Sequence, residues 1–178
     1  MTAAPAARPP LAIREAGAGD HAAIWDILKP VYRAGETYCI PRDITEADAI
    51  ADWFAPPFTA FVAERDGVIL GTSHIGPNRP GGASHVANAS FATAVNARGQ
   101  GVAGALVTHA KDWARAQGFR AMQFNFVVAS NADAVHSWQK AGFQVVGRLP
   151  GAFDHPRLGY VDALVMFADL TGGAGHEP

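Results

Sequence analysis

Apolar residues recur along this chain with two different periods, and the switches between them outline a mixed α/β protein. LAIREA (11–16) alternates and reads as a first strand. Asp20 then precedes Ile24, Trp25, Ile27 and Leu28, an apolar stripe at helical spacing that Pro30 is expected to interrupt. A second helix is expected from near Asp43, whose D-x-x-E spacing to Glu46 has the form of a capping box; it leads into Ala47, Ile50, Ala51 and Phe54 before Pro56 and Pro57 end it. Residues 58–76 read as a hairpin turning at Asp66-Gly67, and NRPGGAS (78–84) as a loop. From His85 the pattern gives a strand, a glycine-rich loop, and a helix to about residue 117 with Leu106, Ala110, Trp113 and Ala114 on one side. There follow a strand over 119–128 and a helix capped by Ser130, with the stripe Ala134, Val135, Trp138 and Ala141 and a stop at Gly142. A strand from Phe143, a loop at 149–158 and a last strand over 159–170 complete the order βααβββαβαββ. One domain over 11–170 is expected, with 1–10 and 171–178 as flexible tails.

Composition narrows the function classes. A chain of 178 residues, 49% hydrophobic, can fill one core. A net charge of −2 and an isoelectric point near 6.4 supply no polyanion-binding surface, so nucleic acid is not an expected partner. Nor is a membrane: no apolar run reaches spanning length, and MTAAPAARPP lacks the apolar centre of a signal peptide, which suggests a cytoplasmic protein. Cys39 is the single cysteine; it excludes an internal disulfide and reads as a small buried hydrophobe. The seven histidines show no ligand-like pair, so no metal is expected.

The candidate chemistry lies in ARGQGVAGAL (97–106), a strand-to-helix loop with glycines at 99, 101 and 104. Glycines there allow backbone N–H groups to approach a ligand, and the helix start adds partial positive charge, a combination suited to phosphate. Gly99, Gly101 and Gly104 satisfy the dinucleotide fingerprint G-x-G-x-x-G, but that motif needs an acidic residue about 20 positions on, and the 119–128 strand holds none. Read instead as Arg98-x-x-Gly101-x-Ala103, the loop is similar to the acetyl-coenzyme A signature of the GCN5-related N-acetyltransferases, the GNAT superfamily. A second stretch, SNADAVHSWQKAGFQVVG (130–147), resembles that family's N-x-x-A-x-x-x-[YW]-x-K-x-G-F pattern through Asn131, Ala134, Trp138, Lys140, Gly142 and Phe143. The resemblance extends over about residues 11 to 168.

This resemblance implies the GNAT fold: a mixed sheet of about seven strands, splayed between the fourth and fifth, with flanking helices. It implies acetyl-CoA as co-substrate, held by strand residues Phe91, Ala92 and Thr93, by the loop and helix start at Arg98, Gly99, Gln100, Gly101, Val102, Ala103 and Gly104, and by Asn131. It also implies an amine acceptor, and a homodimer is a further expectation. The reaction needs a path for the amine proton, a donor toward the thioester carbonyl oxygen, and a proton for the departing thiolate. Trp138 stands where the family often has a tyrosine acid, and an indole N–H is far too weak an acid for that task, so it reads as wall.

Asn88 and Asn125 sit inside apolar strands, where asparagine is disfavoured. Alternation places Asn88 with Ser90, and Asn125 with Gln123, on a polar face opposite Phe124 and Phe126. Together with Asn131 and VVGRLPGAF (145–153), they resemble the fungal proline-analogue N-acetyltransferases. In those enzymes the matching asparagines serve acceptor recognition and oxyanion stabilisation, so Asn88 and Asn125 are the candidate catalytic residues. The acceptor this implies is a small amino or imino acid. A protein or peptide acetyltransferase of the same fold and a non-catalytic acyl-CoA-binding module are the alternatives. His74, His85, Glu64, Asp162, Asp154 and His155 are weighed as bases or pocket residues, and none is singled out.

Overall fold

The structure, a computed structural model, describes residues 9–172, so the expected flexible tails lie almost wholly outside the described residues. Seven strands form one mixed sheet: β1 (Ala12–Glu15), β2 (Thr59–Arg65), β3 (Val68–Pro77), β4 (Val86–Thr93), β5 (Ala121–Val128), β6 (Gln144–His155) and β7 (Gly159–Asp169). Their spatial order is β1-β2-β3-β4-β5-β7-β6, antiparallel throughout except for the parallel pair β4 and β5. Four helices flank it: α1 (His21–Ala34), α2 (Glu46–Trp53), α3 (Val102–Ala116) and α4 (Ala132–Lys140). This is the expected element order, and the mixed seven-stranded sheet with flanking helices is the one the resemblance implies.

Strand alternation divides the core between the two faces of the sheet. Ala87 and Ala89 of β4 and Met122 and Phe124 of β5 pack with Val107, Ala110 and Ala114 of α3 and with Val135 and Trp138 of α4. On the other face, Ala60, Val62 and Ala92 pack with Ile24, Trp25, Ile27, Leu28 and Tyr32 of α1 and with Ala49 and Trp53 of α2. Gly71 of β3 sits beneath the first turns of α3; a Cβ there would meet Val102 Cγ1 at 2.7 Å and Leu106 Cδ1 at 2.9 Å. That close approach seats the start of α3 at the edge of the splay.

Four local expectations are corrected. Pro30 does not interrupt α1, which continues to Ala34 and ends on left-handed Gly35. Pro30 and Asp26 are both exposed, so the carbonyl deprived of its N–H partner faces water, and the buried stripe running on to Tyr32 outweighs the roughly 3 kcal/mol a helical proline costs. Helix α2 is capped by Thr45, whose hydroxyl accepts from the Asp48 N–H at 3.1 Å, not by Asp43; its buried residues are Ala49 and Trp53, while Ala47 and Ala51 are exposed. Asn131, not Ser130, is the N-cap of α4, its Oδ1 accepting from Ala134 N–H at 3.4 Å. Finally, most of the loop expected at 149–158 belongs to β6, which absorbs Pro150 and left-handed Gly151 through a register shift against β7. An edge strand tolerates proline, and Asp162 accepts the Gly151 N–H at 2.9 Å.

The N-terminal edge depends on Asp20, which accepts two bonds from Arg14, at 2.8 and 2.9 Å, and one from Gly17 N–H at 2.8 Å. The Arg14 bonds, then the Gly17 bond, lower its pKa from 3.8 to about 2. A depressed folded pKa gives stability that is present above pH 3.8 and lost as the pH falls toward 2. Asp20→Asn is therefore expected to lower Tm near neutral pH and to show a shallower loss of Tm between those two values. An unchanged acid limb in thermal melts would contradict this.

Candidate active site

Only two residue pairs, Val86 with Ala121 and Ala87 with Met122, join β4 to β5 before the strands part. The His85 carbonyl accepts from Arg120 N–H on the β5 side, whereas Asn78 donates to Val86 and Ala94 to Leu70 on the β3 side. Alternation from these bonds commits the backbones of Asn88, Ser90 and Ala92 to β3 and turns those of Ala89, Phe91 and Thr93 toward the gap. Of the three strand residues expected to hold a ligand by their backbone, Phe91 and Thr93 face the opening. Ala92 points its side chain into the α1/α2 core.

The gap widens into one cleft of about 1030 Å³. At one end it is walled by Arg98, Gly99, Gly101, Val102, Ala103 and Gly104. Gly99 and Gly101 have φ of 72° and 79°, left-handed values that require glycine, and a Cβ at 99, 101 or 104 would meet nothing within 4 Å. The first N–H of α3 bonded within the chain is that of Ala105, to the Gly101 carbonyl at 3.0 Å, so the amides of residues 101 to 104 are open donors at the positive end of the helix. Arg98 is exposed beside them. This bare, glycine-lined helix start fits a phosphate group and leaves room for one.

Gln100 does not join that wall. Its Oε1 accepts from Arg65 at 2.9 Å, its Nε2 donates to the Asn96 carbonyl at 2.8 Å, and its own N–H is bonded to Ala97. Its side chain braces the loop against the end of β2.

At the other end the cleft is lined by Asn88, Ser90 and Asn125 from the sheet and by residues 36–40 from the α1–α2 connection. Asn125 donates from Nδ2 to Asn78 Oδ1 at 2.6 Å and accepts on Oδ1 from Gln123 Nε2 at 2.8 Å. Asn78 lies in the segment expected as a loop, and no short-range signal in the sequence marks a partner 47 positions away. Asn131 lines the cleft, and its capping bond gives it a structural duty in addition to any role toward a ligand. Cys39 is exposed on the cleft wall, not a buried hydrophobe, because the connection that carries it turns its side chain outward.

The ionisable candidates mostly lie elsewhere. His74 is stacked on Trp53 at 4.3 Å and Phe58 at 4.8 Å, with Nδ1 3.1 Å from the Trp53 carbonyl, and burial pushes its pKa down. His85 is exposed outside the cleft, Glu64 pairs with Arg14, and Asp162 is held below the usual range by Gly151 N–H and Arg148. Asp154 and His155 do not line the cleft; His155 is buried and its Nδ1 accepts from Arg157 N–H. Glu36 is the carboxylate among the acceptor-end lining residues, and it is paired with Arg157 at 2.8 Å. Tyr38 lines the same end, but burial pushes its pKa up and its hydroxyl donates to the Phe91 carbonyl at 2.6 Å. That proton is committed to the backbone. Among the described residues no three His, Cys, Asp or Glu side chains gather into a metal-binding group, and no helix is long and apolar enough to cross a membrane.

A family model described as the Acetyltransferase (GNAT) family matches residues 21–143. The chain belongs to the GNAT family. A solved GCN5-related N-acetyltransferase from Kribbella flavida is 44% identical, with a TM-score of 0.86 over 89% of this chain and 97% of that one. A putative acetyltransferase from Salmonella typhimurium, yncA, solved with acetyl-CoA, shares the fold at 23% identity and a TM-score of 0.80, over 94% of this chain and 98% of that one. Among curated proteins, N-acetyltransferase aca1 of Schizosaccharomyces pombe is 33% identical over 101 residues, 54% of this chain and 47% of that one. The match thus spans about half the length of this curated relative.

In this GNAT site Trp138 packs against Phe91 at 5.1 Å and Phe124 at 5.4 Å. Trp138→Phe is expected to keep turnover within a few-fold. A drop beyond about a hundredfold, the scale of losing a general acid, would assign it chemistry instead.

Proposed function

We propose that this GNAT enzyme acetylates the nitrogen of a small amino or imino acid. The observation that carries the reading is the neutral amide surface, Asn88 and Asn125 with Ser90, at one end of the cleft whose other end is the bare start of α3. Acetyl-CoA supplies the activated acetyl thioester when bound. The amides of Gly99 and of residues 101–104, with Arg98, are suited to its phosphates. Phe91 and Thr93 offer backbone groups to its pantetheine arm, and Asn131 its side chain. Asn125 directs an N–H toward the thioester carbonyl oxygen, which gains charge as the amine attacks. Asn88 takes the acceptor carboxylate.

Electrostatics favour this acceptor over a polyamine. Glu36 is already paired with Arg157, so among the described residues around Asn88, Ser90 and Asn125 no free carboxylate is presented to a polycation; Asp133, the other carboxylate lining the cleft, lies in the first turn of α4. Among the described residues that line the acceptor end from the sheet and from residues 36–40 no base is uncommitted, and Asp133 and His136, which also line the cleft, stand on α4; the amine proton leaves through water. A thiol pKa of about 8.5 makes thiolate a leaving group that needs no dedicated acid.

Thiol release with acetyl-CoA tests the assignment of Asn88. Asn88→Ala is expected to raise the acceptor KM about tenfold or more while changing kcat little, the signature of binding shared by ground and transition states. An unchanged KM for every carboxylate-bearing acceptor would remove Asn88 from the site.

A further inference from the structure

We infer that Asn78 is a positioning residue for acetyl transfer, its side-chain carbonyl fixing the Asn125 amide so that one N–H remains for the reacting carbonyl oxygen. The inference rests on the reading of Asn125 as that donor. Asn78 follows β3 directly and is anchored by its backbone N–H, which donates to the Val86 carbonyl at 2.8 Å. Its Oδ1 accepts from Asn125 Nδ2 at 2.6 Å, while Asn125 Oδ1 accepts from Gln123 Nε2 at 2.8 Å.

A primary amide has one oxygen and two N–H donors. With the oxygen of Asn125 satisfied and one N–H given to Asn78, the second N–H has no partner among the described residues, and Asn125 lines the cleft. Turning the amide over would set its oxygen against Asn78 Oδ1 and its NH₂ against the Gln123 NH₂, replacing two attractions by two repulsions. With Asn78 and Gln123 oriented as they stand, the series leaves one N–H of Asn125 available. Neither Asn78 nor Gln123 lines the cleft, so both act through Asn125. Such a bonded series also polarises the terminal donor. Preorganisation of this kind matters because a donor that must rotate into place during the reaction gives up part of its value.

The test is steady-state kinetics on the full chain with Asn78→Leu, Asn78→Ala, Asn78→Asp, Asn125→Ala and the Asn78→Leu/Asn125→Ala double variant, using the acceptor that turns over best. Removing the acceptor oxygen, as Leu or Ala, is expected to lower kcat about tenfold, a fraction of what a lost donor costs, with the acetyl-CoA Kd unchanged. Asn78→Asp keeps an oxygen facing Asn125 and is expected to retain kcat within about threefold of the parent, as its hydrogen bond survives. On the Asn125→Ala background, Asn78→Leu is expected to cost nothing further. If Leu disturbs folding, as a thermal melt would reveal, Ala carries the comparison. Normal kcat in Leu or Ala while Asn125→Ala is slow would overturn the role of Asn78 alone. So would an equal fall in Asp, or additive losses in the double variant. Normal turnover in Asn125→Ala would overturn the reading of Asn125 and this inference with it.

Discussion

Gly101→Val is expected to weaken acetyl-CoA binding about a hundredfold or more while the sheet and helices stay folded. Gly101 is the N-cap of α3 and holds φ at 79°. A β-branched residue is a genuine outlier there, and even an ordinary side chain costs roughly 1–2 kcal/mol in the left-handed region. The backbone relieves that strain by rotating out of the left-handed region, which re-aims the amides of residues 101 to 104. Losing two hydrogen bonds to a charged phosphate removes about 3 kcal/mol or more, or about a hundredfold in Kd. The space above the loop is open to 4 Å, so the substitution clashes with no protein atom, and Tm should fall only slightly. Calorimetry decides it: unchanged affinity in a folded variant would mean that the phosphates lie elsewhere.

Asn125→Asp carries the second large effect. The replacement is nearly isosteric, and Gln123 can still donate to it. Asn78 can turn its own amide over and give an N–H where it now offers an oxygen, so the fold survives. What disappears is the free donor facing the cleft, replaced by an oxygen that repels charge developing on the thioester carbonyl. Removal of one such donor typically costs about 10² to 10³ in kcat, and the added repulsion acts in the same direction. Acetyl-CoA affinity should be retained, because the helix start that meets its phosphates is untouched. Normal turnover with the best acceptor would return Asn125 to the status of a structural amide.

Much of this organisation is legible in the amino-acid order because the signals concerned are local. Alternation in β4 and β5 placed Asn88, Ser90, Gln123 and Asn125 on one face, and the glycines at 99 and 101 marked a turn that does need left-handed backbone. What was missed depends on contacts distant in sequence. Pro30 is tolerated because the residues that lose a bond face water while those on its far side bury Tyr32. Gln100 belongs by spacing to a ligand loop, yet Arg65, 35 positions earlier, draws its side chain away. The frame of α2 follows Trp53, whose indole donates to buried Thr72 at 3.0 Å, so the helix rotates away from the stripe its alanines suggested. Asn78 stands in a run of turn-forming residues, and only the folded sheet brings it to Asn125.

The measurement that bears most directly on the proposed activity is a competition in one vessel. Acetyl-CoA and enzyme are mixed with azetidine-2-carboxylate, hydroxyproline, ordinary α-amino acids, a polyamine and a peptide with a free N-terminus, and the products are identified by mass spectrometry. The account predicts one acetyl group on the nitrogen of a small amino or imino acid, formed in step with thiol release and diminished by Asn88→Ala. Acetylation of the peptide or the polyamine with every amino and imino acid left unmodified would contradict it.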